Sequence, residues 1–272
     1  MTTLLTVLLG CYLLGGLLPL CTSRPHLQNI LAHSAAALAG GAGIALGLLG
    51  LVASQALTIS VPSNIPYLTF ALRLDPLAAF FVLTISLIGM AASIYAYGYV
   101  REFTGRVSIG LLGSLLNGFL LSMTLVVLAD NGFFFLIVWE VMSLLSYVLV
   151  VTEHERPGVR EAGLFYLIMT HAGTAFIILT FLLFSQETGS FSFEAFRHPD
   201  QRLPDGLRSI AFFTALIGFG AKAGIVPLHV WLPYAHPAAP SHISALMSGV
   251  MIKTAIYGLI RVYFDFLEGQ FP

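Results

Sequence analysis

Lys222 and Lys253 are the only lysines in this 272-residue chain, and both lie in the middle of apolar runs long enough to span a bilayer. A charged side chain at the bilayer centre costs roughly 2.5–3.5 kcal/mol on insertion scales, so an amine kept there titrates, pairs or follows something that moves through the membrane. Snorkelling to the headgroups requires a place near a helix end. Neither lysine has one. A single acid matches them: Glu140, in FFFLIVWEVMSLLSYVLVV, is the only carboxylate well inside an apolar run. It stands about 8 residues into its helix, roughly 12 Å below the start. Ser143 and Ser146 follow one to two turns later and are placed to hold water beside it.

Lys222 lies in RSIAFFTALIGFGAKAGIVPLHVWLP, with Gly218, Gly220 and Gly224 around it and Pro227 and Pro233 after it. Proline lacks the backbone donor and clashes with the carbonyl one turn earlier, so both prolines are expected to break or kink this helix just beyond the lysine. Discontinuous helices at the midplane recur in ion-binding sites because they free backbone groups to face water or an ion. Lys253, in PSHISALMSGVMIKTAIYGLIR, reads as lying in an uninterrupted helix. Histidines fill the interval: His171 in the sixth run, His229 and His236 at the end of the seventh, His242 at the start of the eighth. Imidazole exchanges protons near neutral pH, so these are possible relay or gating groups, although His171 reads most simply as a hydrogen-bonded packing residue. A zinc site built from His229, His236 and His242 is disfavoured: no cysteine or carboxylate stands near, and Pro233 interrupts the helical spacing. No metal site is expected. A buried Glu–Lys pair with a further lysine and histidines suits a proton path, in which the proton affinity of a lysine is set by how near the carboxylate stands.

The elements that must position these residues follow from composition. Hydrophobic residues make up 57% of the chain and charged residues 9%, and the mean hydropathy is +0.90. These values place it among polytopic, all-α membrane bundles. A net charge of −1 gives no footing for a nucleic-acid partner; the bilayer is the surrounding medium. Cys11 and Cys21 lie in or beside the first apolar run without metal spacing and read as packed or lipid-facing thiols. Two thiols cannot hold an iron–sulfur cluster, which needs about four thiolates, and no cofactor is expected in this chain. About 20 apolar residues cross a bilayer, and eight segments qualify, near 3–21, 32–55, 76–98, 107–129, 132–152, 161–185, 208–233 and 239–264. The first has no basic n-region and no small-residue cleavage site, so it reads as a transmembrane helix rather than a signal peptide. Residues 56–75 alternate around Pro62, Asn64 and Pro66 as a short extramembrane hairpin. Asp130-Asn131-Gly132 forms a tight turn, and Gln186–Arg208 is the longest polar loop. The glycines between Gly40 and Gly50 read as a helix-packing surface rather than a nucleotide loop.

Arg24, Arg101, Arg106, Arg156 and Arg160 sit in the short loops after the first, third and fifth spans, against Arg73, Arg197, Arg202 and Arg208 on the other side. The positive-inside rule makes the former loops cytoplasmic and puts the N-terminus outside.

The stretches VWEVMSLLSYVLV, GFGAKAGIVPLHVWLPYAHPAAPSHISALMSGV and MIKTAIYGLIR resemble the antiporter-like, proton-translocating membrane subunits of respiratory complex I, multisubunit Na+/H+ antiporters and membrane-bound NiFe hydrogenases. HPAAPSHISALMSGVMIKTAIYGL is most similar to the large membrane subunit of formate-hydrogenlyase and hydrogenase-4 type complexes. The resemblance runs from about Leu74 to Arg261. It implies three leading helices with the hairpin over 1–106 and a five-helix repeat over 107–272. It also implies that Glu140 and Lys222 form the switching pair, that Lys253 passes protons onward, and that other membrane subunits and, indirectly, a soluble redox arm are partners in the cytoplasmic membrane. Family members usually carry a second, inverted repeat, which this chain lacks; a split gene, a truncated gene and a minimal subunit would all read this way. The resemblance leaves three functions open: proton translocation in a redox-driven complex, a part of a Na+/H+ antiporter, and a structural subunit that moves nothing. Neighbouring genes would separate them; the coupling ion and the electron donor are not written in the residues.

Overall fold

The computed structural model describes residues 1–198 and 203–267; Arg202, used above for orientation, lies outside them. Its elements in chain order are α1 (Thr2–Leu17), α2 (Pro25–Val52), β1 (Leu57–Pro62), β2 (Thr69–Leu74), α3 (Pro76–Tyr99), α4 (Ile109–Leu128), α5 (Gly132–Val150), α6 (Val159–Thr188), a short α7 (Phe193–Arg197), α8 (Asp205–Ala223), α9 (Leu232–Ala238), α10 (Ser241–Leu246) and α11 (Ile252–Ile260). Among the described residues, eight helical stretches are long and apolar enough to cross a membrane: α1 to α6, α8 with α9, and α10 with α11.

The second span starts earlier than its apolar residues suggest. Pro25 sits in the first turn after an extended Arg24, where its missing N–H costs nothing. The polar residues of that turn are absorbed by protein rather than loop. Gln28 donates to Thr22 O at 2.6 Å and accepts from the Gly110 amide at 3.0 Å, while Asn29 donates to Tyr97 O at 2.8 Å. Farther along α2 the glycine surface packs on α3. A Cβ on Gly47 would lie 2.7 Å from Leu83 Cβ, and one on Gly50 2.7 Å from Ala79 Cβ, so the two backbones approach more closely than any side chain would allow.

The hairpin is formed, with Leu57 opposite Leu74 and Pro62 opposite Thr69 in antiparallel register. It is stitched to the α4–α5 turn, whose Asp130 amide donates to Ala71 O at 2.9 Å. The segment expected as the longest polar loop is largely folded. Helix α6 continues to Thr188, and α7 buries Phe193 and Phe196 against Phe181, Phe184 and Phe266. Apolar side chains every third residue convert a charged stretch into a cap on the bundle. Above that cap runs a connected set of charges. Arg197 holds Asp130 and Asp265 at 2.9 Å each, and Arg261 holds Asp265 at 2.9 Å and Asp75 at 2.6 Å. Arg73 joins Glu194 at 3.1 Å. Burial acts to raise the Asp75 carboxyl, but the hydrogen bond and charge of Arg261 outweigh it and hold the group below the usual carboxylate range.

Candidate functional site

Helix α8 ends at Ala223 because Gly224 takes a left-handed φ of 73° and Pro227 follows three residues later. Glycine carries no Cβ penalty there, and a proline four residues on could not have continued the helix. The chain resumes as a 3₁₀ turn, Leu228–Trp231, and then α9. The break is therefore at Gly224–Pro227. Pro233, expected to break the helix, instead sits in the first turn of α9, where it helps to start the helix.

Lys222 lies in the last turn of α8 and is 1% exposed. The negative end of the α8 dipole faces it there. Its Nζ donates to Tyr166 Oη at 2.6 Å and to Ser143 Oγ at 3.0 Å, and stands 4.8 Å from the centre of the Tyr166 ring. Ser146 Oγ is 2.5 Å from Tyr166 Oη and donates to Ser143 O at 2.8 Å. Tyr166 Oη also stands 3.5 Å from Met251 Sδ, a second acceptor for its hydrogen. Lys222, Tyr166, Ser143 and Ser146 are thus joined in one hydrogen-bonded set. Trp231 closes the site from the far side of the break, with its ring 4.8 Å from Tyr166 and its N–H on Ala221 O at 2.8 Å.

The direct Glu140–Lys222 pair expected from sequence is not formed. Glu140 Oε2 lies 3.0 Å from His171 Nε2, and among the described residues Lys222 makes no ion pair. The cause is helical phase. Ser143 and Ser146 turn inward to the lysine, whereas Glu140 sits at the partly exposed edge of α5 facing α6. Residues three apart on a helix are neighbours, so Glu140 is one turn from the lysine's ligand, close enough that its charge is felt at Lys222. His171 is hydrogen-bonded, as expected, and its partners are Leu167 O on its own helix and Glu140 on α5. Its Nδ1 lies 3.0 Å from Leu167 O, an atom that can only accept, so Nδ1 carries a hydrogen. Nε2 then meets a carboxylate oxygen. Glu140 and His171 thus form a carboxylate–imidazole pair across α5 and α6.

Lys253 departs from expectation in two ways. It follows a π-helical segment, Met247–Met251, rather than lying in an unbroken helix, and its Nζ bonds the Ser248 carbonyl that this segment frees. Its side chain lies on the outer surface of the bundle. His236 stacks on Trp231 and reaches Ser244 Oγ at 3.1 Å. Ser248, one turn beyond, donates to Ser244 O at 2.9 Å. Ser244, Ser248 and Lys253 thus follow one another along the eighth span, and His236 meets them from the end of the seventh. His229 is half-buried in the 3₁₀ turn, and His242 is buried elsewhere, against Tyr99. Among the described residues no group of three or more His, Cys, Asp or Glu is arranged to hold a metal ion.

Sequence reasoning missed Tyr166, which supplies the shorter of the two bonds to Lys222. Its signal was a phenol inside an apolar run, five residues before His171. It also missed the charge network over α7, whose members are scattered from Arg73 to Asp265 and meet only in the fold.

Residues 129–271 match the family described as NADH:quinone oxidoreductase/Mrp antiporter, TM. Hydrogenase-4 component B of Escherichia coli (strain K12) is 46% identical over 196 residues, which cover 72% of this chain and 29% of that protein. A chain of the membrane-bound sulfane sulfur reductase, an archaeal respiratory membrane complex, superimposes with a TM-score of 0.77 at 24% identity, over 96% of this chain and 41% of its own. A chain of the Mrp complex from Dietzia sp. DQ12-45-1b gives 0.78 at 23% identity, over 98% and 28%. At these identities the two solved structures establish the fold alone. The chain spans about a third of the length of the curated relatives it matches. It is a multi-pass membrane protein that belongs to the NADH:quinone oxidoreductase/Mrp antiporter transmembrane family.

Proposed function

We propose that this chain moves protons across the cytoplasmic membrane within a redox-driven complex of the hydrogenase or NADH:quinone oxidoreductase type, with the electron carriers on partner subunits. One observation carries the reading: a fully buried lysine, held by hydroxyls alone, has its Ser143 ligand one helical turn from a carboxylate–imidazole pair. When Glu140 leaves His171 and approaches Lys222, a negative charge meets the ammonium. When it returns, the ammonium is left with neutral ligands in a dry site and gives up its proton. The break at Gly224–Pro227 supplies the free backbone and room that such a movement needs. The Arg101, Arg106, Arg156 and Arg160 loops face the cytoplasm in this reading, with the N-terminus and hairpin outside. From His236 at the end of the seventh span, Ser244, Ser248 and Lys253 lead onward along the eighth, and His229 lines the break.

Lys222→Ala and Glu140→Ala, introduced into the whole complex in vesicles, are expected to abolish redox-driven proton uptake while the complex still assembles. Wild-type uptake in both would leave only a structural role. A sodium/proton antiport activity would need an oxygen cage for the ion, whereas the carboxylate here is already paired with His171. Sodium-dependent uptake from the same vesicles would favour antiport.

A further inference from the structure

A second group of buried polar atoms lies away from Lys222, where the start of α2, the end of α3 and the start of α10 meet. His33 is 2% exposed and His242 is 1% exposed. His33 Nδ1 lies 2.9 Å from Asn29 O. That carbonyl only accepts, so Nδ1 carries the hydrogen and Nε2 presents a free lone pair. His33 Nε2, both ring nitrogens of His242 and Asn29 Oδ1 are all buried without a protein partner. Asn29 and His33 are one turn apart on α2, and Asn29 is anchored to the end of α3 through Tyr97 O. His242 packs edge-on against Tyr99 of the same helix end, ring centres 5.6 Å apart, and a charge on either histidine is felt by the other. Leaving each such atom unsatisfied would cost roughly 1–3 kcal/mol, whereas one buried water needs about 2–4 polar partners. A cleft of about 430 Å³ on the arginine-loop face is lined by Arg101, His26 and Asn29, the last of them one turn from His33. Arg101 is the cation among the lining residues, and His26 the lining imidazole. Among the described residues, the ion pairs made by histidine belong to His171 and His198, not to this site.

The geometry points to a hydrated proton-uptake site made by Asn29, His33 and His242, fed from the arginine-loop face and separate from the Glu140–Lys222 machinery. It deepens the translocation reading and rests on it for its role in transport. A proton from the cleft forms an N–H bond at His33 Nε2 while Nδ1 keeps its bond to Asn29 O. The Nε2 proton then passes through water to one nitrogen of His242, and the opposite nitrogen releases its own hydrogen. Each transfer breaks one bond to hydrogen and makes another, and a single positive charge moves inward.

The test has two arms. In histidine-labelled full-length chain in lipid bilayers, nitrogen NMR signals assigned by His33→Gln and His242→Gln should show contact with water and respond to pH between about 5 and 8. Two dry, unresponsive rings would overturn the site, whatever the chain transports. In vesicles holding the intact complex, each of these variants, and Asn29→Leu, which fills the wall of the route, should lower proton uptake by at least about tenfold. Wild-type uptake in all three, alongside its loss in Lys222→Ala, would overturn the uptake role and leave the Lys222 reading standing. Wild-type uptake in Lys222→Ala would instead defeat that reading, and the NMR arm alone would then decide whether the site exists.

Discussion

Replacing Tyr166 by phenylalanine isolates one bond of the lysine site. The ring is kept, so its packing on Trp231 at 4.8 Å and its face toward the Lys222 amine at 4.8 Å survive. What is lost is the 2.6 Å bond from Nζ and the onward bond to Ser146. A hydrogen bond involving a charged group is worth about 1.5–3 kcal/mol when its partner is removed from a buried site. If that energy adds to the pull of Glu140 on the charged lysine, the loaded population falls by roughly ten- to a hundred-fold without it. Proton uptake under turnover, measured in vesicles containing the whole complex, should fall by a factor in that range, with electron transfer retained. Ser146→Ala removes only the second link and should cost less. Uptake by Tyr166→Phe within about twofold of wild type would refute a part for the Tyr166 hydroxyl in holding the charged lysine, because less than about 0.5 kcal/mol would then be at stake.

Other expectations address neighbouring parts of the account. His171→Gln keeps a hydrogen-bond donor toward Glu140 but removes the imidazole, so uptake should drop by about a hundredfold; full activity in flow assays would show that the imidazole is idle. Gly47→Leu should separate α2 from α3 at a cost of about 1–3 kcal/mol, read as a lower thermal midpoint in detergent. Arg261→Ala leaves Asp75 and Asp265 in the charge network without their shared partner and should cost about 3–5 kcal/mol, visible in the same melt. Asp75 is more acidic folded than unfolded, so its contribution is fully present above the ordinary aspartate range and disappears as pH falls through the folded value. Asp75→Asn should remove that segment of the acid-stability curve, and an unchanged curve would contradict the assignment.

The spans were legible because hydropathy counts residues, and eight runs of sufficient length correspond to eight candidate spans among the described residues. The hairpin was legible from its prolines and alternation. The start of α2 was not, because Gln28 and Asn29 look like loop residues until Thr22, Gly110 and Tyr97 are seen to pair them. At the site, residue type alone singled out Glu140 and Lys222, but their partners depend on helical phase between α5, α6 and α8, which no spacing within one helix reveals. The same holds for His33, an ordinary residue in an apolar run until α10 places His242 near it. The π-helical segment before Lys253 carries no proline or glycine pair to announce it beyond Gly249, and packing rather than local sequence sets it.

The central claim is that Lys222 and Glu140 carry protons that redox chemistry drives. The ratio of protons moved to electrons transferred, measured in proteoliposomes of the intact complex with Lys222→Ala, tests it most directly. The account predicts that electron transfer continues while the ratio falls by the share this subunit contributes, and that Glu140→Ala lowers it equally. An unchanged ratio in both variants would contradict it.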